Sequence, residues 1–241
     1  MDTWFGVSST HLFHPFSASH LLMLIIYSAG AAALLINSSR ISQRPSLYRA
    51  IRWGFLIVLV LSELVYQGWA IYHHMWSFPD HMPLHLCGIA SITAMLALLF
   101  QKDKLIQMTF FLAVIPAFLA LVTPDIPYGY EHFRFWKFFI HHMAISWSGI
   151  FLSMAGNTNI TFASMMRTFL LLIAYALFIG MIINPLTGAN YLYLARPAED
   201  TLLTLFGEGF SYYINLSTTA LIVFYLLYLS MKFYRRSRQI R

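Results

Sequence analysis

Of 241 residues, 59% are hydrophobic and 10% are charged, against about 25% charged in an ordinary soluble domain, so the chain lacks the polar surface to coat a water-soluble particle. The net charge of +6 would point a soluble protein toward nucleic acid; here the charges gather between apolar runs, and no nucleic-acid partner is expected. A single cysteine, Cys87, excludes an intramolecular disulfide and any cysteine-cluster metal or iron–sulfur site.

The opening MDTWFGVSST has no basic region ahead of its first apolar run and no small-residue cleavage site, so the first helix is expected to act as its own insertion signal. Seven apolar runs follow, at 16–36, 51–72, 83–100, 105–122, 138–155, 168–186 and 212–233. Each is long enough to cross about 30 Å of hydrocarbon at about 1.5 Å per residue. The expected architecture is therefore all-α, a polytopic membrane helix bundle of about seven transmembrane helices. With no internal repeat of period 20–50, residues 1–241 read as a single integral membrane domain.

The connections alternate in charge. Arg40, Arg44, Arg49 and Arg52 lie in the first, Lys102 and Lys104 in the third, Arg167 after the fifth, and Lys232, Arg235, Arg236, Arg238 and Arg241 at the tail. These are twelve of the fifteen basic residues, and only Arg134, Lys137 and Arg196 fall on the other side. The asymmetry puts the amino terminus outside and the carboxyl terminus in the cytoplasm of a cell membrane. Acidic residues agree, because Asp2, Asp80, Asp125, Glu131, Glu199, Asp200 and Glu208 all lie in outside segments, with Asp103 inside and Glu63 within a helix. The longest outside connection, about 187–211, carries NYLYL and either folds back over the helix ends or forms a surface loop.

All ten histidines, His11, His14, His20, His73, His74, His81, His85, His132, His141 and His142, fall in outside segments or outer helix ends. That placement suggests a shared polar cavity opening outward, with interfacial packing as the alternative for several of them. Glu63 is an ionisable group in a membrane helix, where such residues cost about 2.5–3.5 kcal/mol and face a bundle interior with partners. Tyr66 and Gln67 continue its stripe at i+3 and i+4, and a protonated carboxyl that only joins helices is the simpler reading.

In HMPLHLC at 81–87, Pro83 suits a first helical turn, which places Cys87 about one turn inside. Unsatisfied N–H groups there favour a thiolate, so Cys87 reads as an activated nucleophile or as inert packing. His85, two residues away, points to nearly the opposite helix face, and the base is expected from FFIHH at 138–142, through His141 or His142. Ser146 and Gly149 would give the His142 face a small, partly polar surface.

Glu63, PLHLC, FFIHH and GANYLYL at 188–194 together resemble the YwaF-like family of bacterial integral membrane proteins. That family is similar to a eukaryotic transmembrane acyltransferase family that remodels ether phospholipids through a cysteine in the corresponding helix. The resemblance implies that Cys87 is the nucleophile, with His142 the better fit to the family's histidine position. The resulting expectation is a lipid acyltransferase, or a lipase-like acyl hydrolase, working on membrane phospholipid and lysophospholipid through a cysteine thioester. His142 would be the general base, with His85, Glu63 and His141 supporting and Gln67, Asn190 and Tyr191 contacting substrate. No cofactor and no metal are expected, since His73-His74 and His141-His142 are adjacent pairs rather than the i, i+4 pairs that share a helix face. The rival is a proton- or solute-coupled transporter using Glu63, Gln67 and the histidines as a polar path.

Overall fold

A computed structural model describes residues 4–9, 11–156, 158–197 and 202–239. Among them every regular element is helical. The helices are α1 (Ala18–Ser42), α2 (Pro45–Tyr72), a short α3 (Phe78–His81), α4 (Leu86–Phe100), α5 (Asp103–Val122), α6 (Phe133–Met154), α7 (Phe162–Phe178), a short α8 (Asn184–Thr187) and α9 (Gly209–Gln239).

Local chemistry sets most of these boundaries. Pro45 opens α2, where its missing N–H costs nothing. Asp103 sits in the first turn of α5, beside the positive end of the helix dipole. The His132 side chain accepts from the Arg134 amide to cap α6, and Thr161 and Ser164 form a reciprocal capping box on α7. Between α7 and α8 the turn at Ile179–Ile183 widens into a π-helix. Pro185, in the first turn of α8, lacks the N–H that would continue the normal ladder, which accounts for the widening.

Five helical stretches are long and apolar enough to cross a membrane: Ala18–Ser42, Pro45–Tyr72, Asp103–Val122, Phe162–Thr187 and Gly209–Arg236. The expected runs on α4 and α6 do not meet that standard, for two different reasons. Helix α4 is apolar but has only 15 residues. Helix α6 is surrounded by its neighbours, with Phe135, Phe139, Ile145 and Leu152 fully buried, so it can carry Arg134, Lys137, His141 and His142 without exposing them to lipid. Helices α1, α2, α7 and α9 turn large apolar side chains outward, among them Ile25, Leu61, Leu170 and Leu226. An apolar outer surface over an apolar core does not suit water and does suit a hydrocarbon surround.

Two expected boundaries move in ways that matter for the site. Helix α4 begins at Leu86, not Pro83, leaving His85 as an extended N-cap with φ −68° and ψ 164°. The cause is steric: Gly88 lies directly against the Pro83 backbone, where any Cβ would collide, so the Pro83 turn packs on the first turn of α4 instead of belonging to it. Helix α6 begins at Phe133, ahead of the expected 138, which takes Lys137 from a flanking loop into the helix.

Candidate functional site

The first turn of α4 is the meeting point of three segments distant in sequence. Cys87, its second residue, is half-buried and packs against the main hydrophobic core. The first backbone bond of this helix end runs from the Ile89 amide to the His85 carbonyl at 3.1 Å. The amides of Leu86, Cys87 and Gly88 therefore have no intrahelical acceptor, and the His85 side chain does not cap them. A thiol with open N–H donors beside it is what an acyl-transfer nucleophile and its oxyanion need.

The NYLYL segment closes over this turn, which settles the fold-back alternative for residues 190–194. Its Tyr191 is fully buried, and its ring lies 5.2 Å from that of His85, with Tyr193 at 5.3 Å on the same imidazole. The Tyr191 hydroxyl donates to the Phe78 carbonyl, while Asn184 holds the Tyr191 backbone through both amide atoms, at 3.0 and 3.1 Å. The Tyr175 hydroxyl donates to the Leu84 carbonyl at 2.8 Å, and Tyr193 donates to Asp125 at 3.2 Å. His85 is thus held by two tyrosines rather than directed at the sulfur.

On the other side, Lys137 of α6 reaches Glu63 of α2, with Nζ 3.6 Å from Oε2. Its ammonium also lies 4.3 Å from the centre of the Tyr66 ring. Lys137 is within electrostatic reach of Cys87, His141 and His142 alike, making it the common neighbour of the expected catalytic groups. Sequence reasoning missed it by assigning it to a loop. The available signal was the helical spacing of Arg134, Lys137 and His141, at i, i+3 and i+7, which puts them on one face.

The two adjacent histidines have different surroundings. His141 Nδ1 bonds to Ser62 Oγ of α2, joining two helices. His142 Nδ1 lies 2.8 Å from the Phe138 carbonyl, one turn back on its own helix. Since a carbonyl only accepts, that nitrogen carries the proton and leaves Nε2 as the acceptor in the neutral ring. No hydrogen bond joins either imidazole to Cys87 among the described residues.

The expected substrate contacts are engaged within the protein. Gln67 donates to Glu63 and to the His81 carbonyl, each at 2.7 Å, and accepts from Trp76 at 2.7 Å. Asn190 accepts from the amides of Ala195 and Arg196 and donates to the Arg196 carbonyl, so it shapes its own loop. Nor do the histidines form one common cavity. His20 binds the Leu121 carbonyl at 2.8 Å, while His73 and His132 bind the carbonyls of Phe5 and Gly6 at 2.8 and 2.9 Å, tying the amino-terminal segment to the bundle. Among the described residues no group of three or more His, Cys, Asp or Glu side chains is placed to hold a metal.

A family model described as the TMEM164 family matches residues 15–228. No curated protein and no solved structure matches the chain. The matched span begins just before α1, includes α2 to α8 and reaches well into α9. It covers far more than half of the sequence, and the chain accordingly belongs to the TMEM164 family of transmembrane proteins.

Proposed function

We propose that this protein is a membrane-embedded lipid acyltransferase, or a lipase-like acyl hydrolase, with Cys87 as its nucleophile and membrane phospholipid as acyl donor. The observation that carries the reading is the convergence on the first turn of α4: a half-buried thiol, three amide donors without helical acceptors, and the Lys137 cation within electrostatic reach. Resemblance to YwaF-like membrane proteins, and through them to a cysteine-dependent acyltransferase family, points the same way.

In the first half-reaction Cys87 sulfur attacks the carbonyl carbon of a glycerolipid ester. His142 Nε2 takes the thiol proton as the sulfur attacks; the C–O bond to the glycerol then breaks, the lysolipid alkoxide takes that same proton from His142 Nε2, and an acyl thioester remains. In the second half, His142 Nε2 takes the proton of a lysophospholipid hydroxyl, or of water, as that oxygen attacks the thioester and Cys87 leaves as thiolate. The Leu86, Cys87 and Gly88 amides stabilise the tetrahedral oxyanion in both halves. Lys137 is the cation nearest the charge that develops on the sulfur, Glu63 compensates Lys137, and His85 with Tyr191 and Tyr193 positions the α4 turn.

Seven crossings, with the amino terminus outside and the carboxyl terminus in the cytoplasm of the plasma membrane, complete the proposal. Most of the basic residues fall at the connections α1–α2, α4–α5 and α6–α7 and toward the tail, at the end of the bundle away from Cys87, with Arg134, Lys137 and Arg196 the exceptions. The test is formation of an acyl adduct on Cys87 from a labelled phospholipid.

A transporter reading draws on the Glu63–Lys137 pair, because ion pairs inside membrane bundles also mark solute and proton paths. Solute-coupled proton uptake that persists in Cys87→Ala would favour it.

A further inference from the structure

Helix α4 runs from Cys87 at one end of the bundle to Gln101 at the other, and the Gln101 end holds a second polar site. There a shallow surface cavity of about 360 Å³, open to the surroundings, is lined by Ser42, Pro45, Tyr48, Arg49, Gln101, Ala155 and Gly156. Gln101 caps α4 in the left-handed region, φ 52°, a conformation that disfavours a residue with a side chain. Its amide is held on both sides: Arg52 Nη1 donates to Oε1 at 2.5 Å, and Nε2 donates to the Tyr48 hydroxyl at 3.0 Å.

This network has more donors than acceptors. The Tyr48 oxygen accepts from Gln101, leaving its own O–H to donate. Arg52, set behind the cavity lining, keeps its Nε buried with no hydrogen-bond partner among the described residues, so the network holds an excess of positive charge. Arg49 adds an exposed guanidinium on the cavity wall. No acidic side chain lines the cavity. Asp103, the acidic residue at this end, accepts from Thr158 at 2.9 Å and opens α5, and neither described ion pair involves it or these arginines. What is missing is an anion with several acceptor oxygens.

We infer that this cavity binds a phosphate group, that of an anionic phospholipid headgroup or free phosphate, held by Arg49 and the Tyr48 hydroxyl, with Gln101, itself fixed by Arg52, at the cavity wall. Guanidinium and hydroxyl donors converging without a carboxylate match the three or four oxygens of a phosphate ester. The site also stands where the helix ends and the arginines of the first connection would meet lipid headgroups, so acyl chains can remain in the bilayer while the phosphate enters. The inference is independent of the chemistry at Cys87.

The full chain in neutral detergent is titrated with dioleoyl phosphatidylglycerol, dioleoyl phosphatidylcholine or inorganic phosphate, and bound species are counted by native mass spectrometry. Phosphatidylglycerol is expected to bind about tenfold more tightly than phosphatidylcholine, which presents the same phosphate but brings its choline cation against Arg49. Arg49→Gln is expected to remove that preference, while Lys104→Gln, an exposed charge at the same end but off the cavity, leaves it. Gln101→Asn suits the left-handed backbone better yet is too short to bridge Arg52 and Tyr48, so it should lose the preference with its melting temperature maintained. Binding of inorganic phosphate that responds to the same variants, without lipid preference, would assign the site to a free anion and overturn the headgroup source. Equal weakening by Arg49→Gln and Lys104→Gln, or no selective binding at all, would overturn the site.

Discussion

Lys137 on α6 and Glu63 on α2 form an ion pair across the bundle, 3.6 Å from Nζ to Oε2, with 18% and 24% of their side chains exposed. Each answers for the other: a membrane carboxylate and a membrane ammonium are both costly alone, and paired they bring two helices into register beside Cys87. Glu63→Gln leaves the ammonium uncompensated and is expected to destabilise the protein by about 1–3 kcal/mol, less than the roughly 3–5 kcal/mol of a fully buried pair because both side chains keep some exposure. The double variant Glu63→Gln/Lys137→Met should recover most of that loss in a thermal melt, and purely additive losses would dismiss the pair as a coupled unit.

Gly88 is required by the close approach of Pro83. Gly88→Ala places a Cβ against backbone that cannot move aside and should cost about 2–4 kcal/mol in thermal or denaturant unfolding. At Gly68 in α2 an added Cβ meets nothing within 4 Å, so Gly68→Ala should be neutral or stabilise by about 0.5–1 kcal/mol through helix propensity.

Ser62→Ala and His142→Ala separate the two neighbouring imidazoles. The first removes the partner of His141 and should cost about 1 kcal/mol of stability while leaving acyl transfer nearly intact. The second should lower transfer at least about a hundredfold with little change in melting temperature, the usual scale for a general base. Rates measured on both variants decide which histidine acts.

His132 supplies a pH dependence outside the membrane-spanning segments. Its Nδ1 accepts from the Arg134 amide at 3.1 Å and its Nε2 donates to the Gly6 carbonyl at 2.9 Å, an arrangement that needs the neutral ring. Burial holds its pKa below the ordinary value of 6.5, with the charges of Arg134 and His73 acting in the same direction against the Gly6 carbonyl. The unfolded chain then binds the proton more readily, so this contribution is present at neutral pH and declines as pH falls through about 6.5. Hydrogen-exchange protection at residues 4–9 and 132–136, taken relative to the intrinsic amide rate at each pH, should fall between pH 7 and pH 5, and should lose that dependence in His132→Gln.

Much of the fold was legible because apolar runs and charged connections are direct consequences of a hydrocarbon surround: α1, α2, α5 and α7 lie close to where periodicity and length put them. The site was less legible. Nothing in MPLHLC announces that Gly88 packs on Pro83, so the sequence reading began α4 too early and placed His85 inside the helix. Lys137 looked like a flanking charge because an exposed α6 could not begin with Arg134 and Lys137 in lipid; only burial of that helix among its neighbours removes the objection. Asn190 and Gln67 were polar groups near the right place, but whether an amide faces a ligand or its own loop depends on backbone geometry that spacing does not encode.

The most direct test is intact mass of the purified protein after incubation in bilayers with a phospholipid carrying a labelled acyl chain, for wild type and Cys87→Ser. The account predicts an acyl adduct on wild type that hydroxylamine at neutral pH releases, with no such adduct on the serine variant. A wild-type protein that stays unacylated at long times, with and without added lysophospholipid, would contradict it.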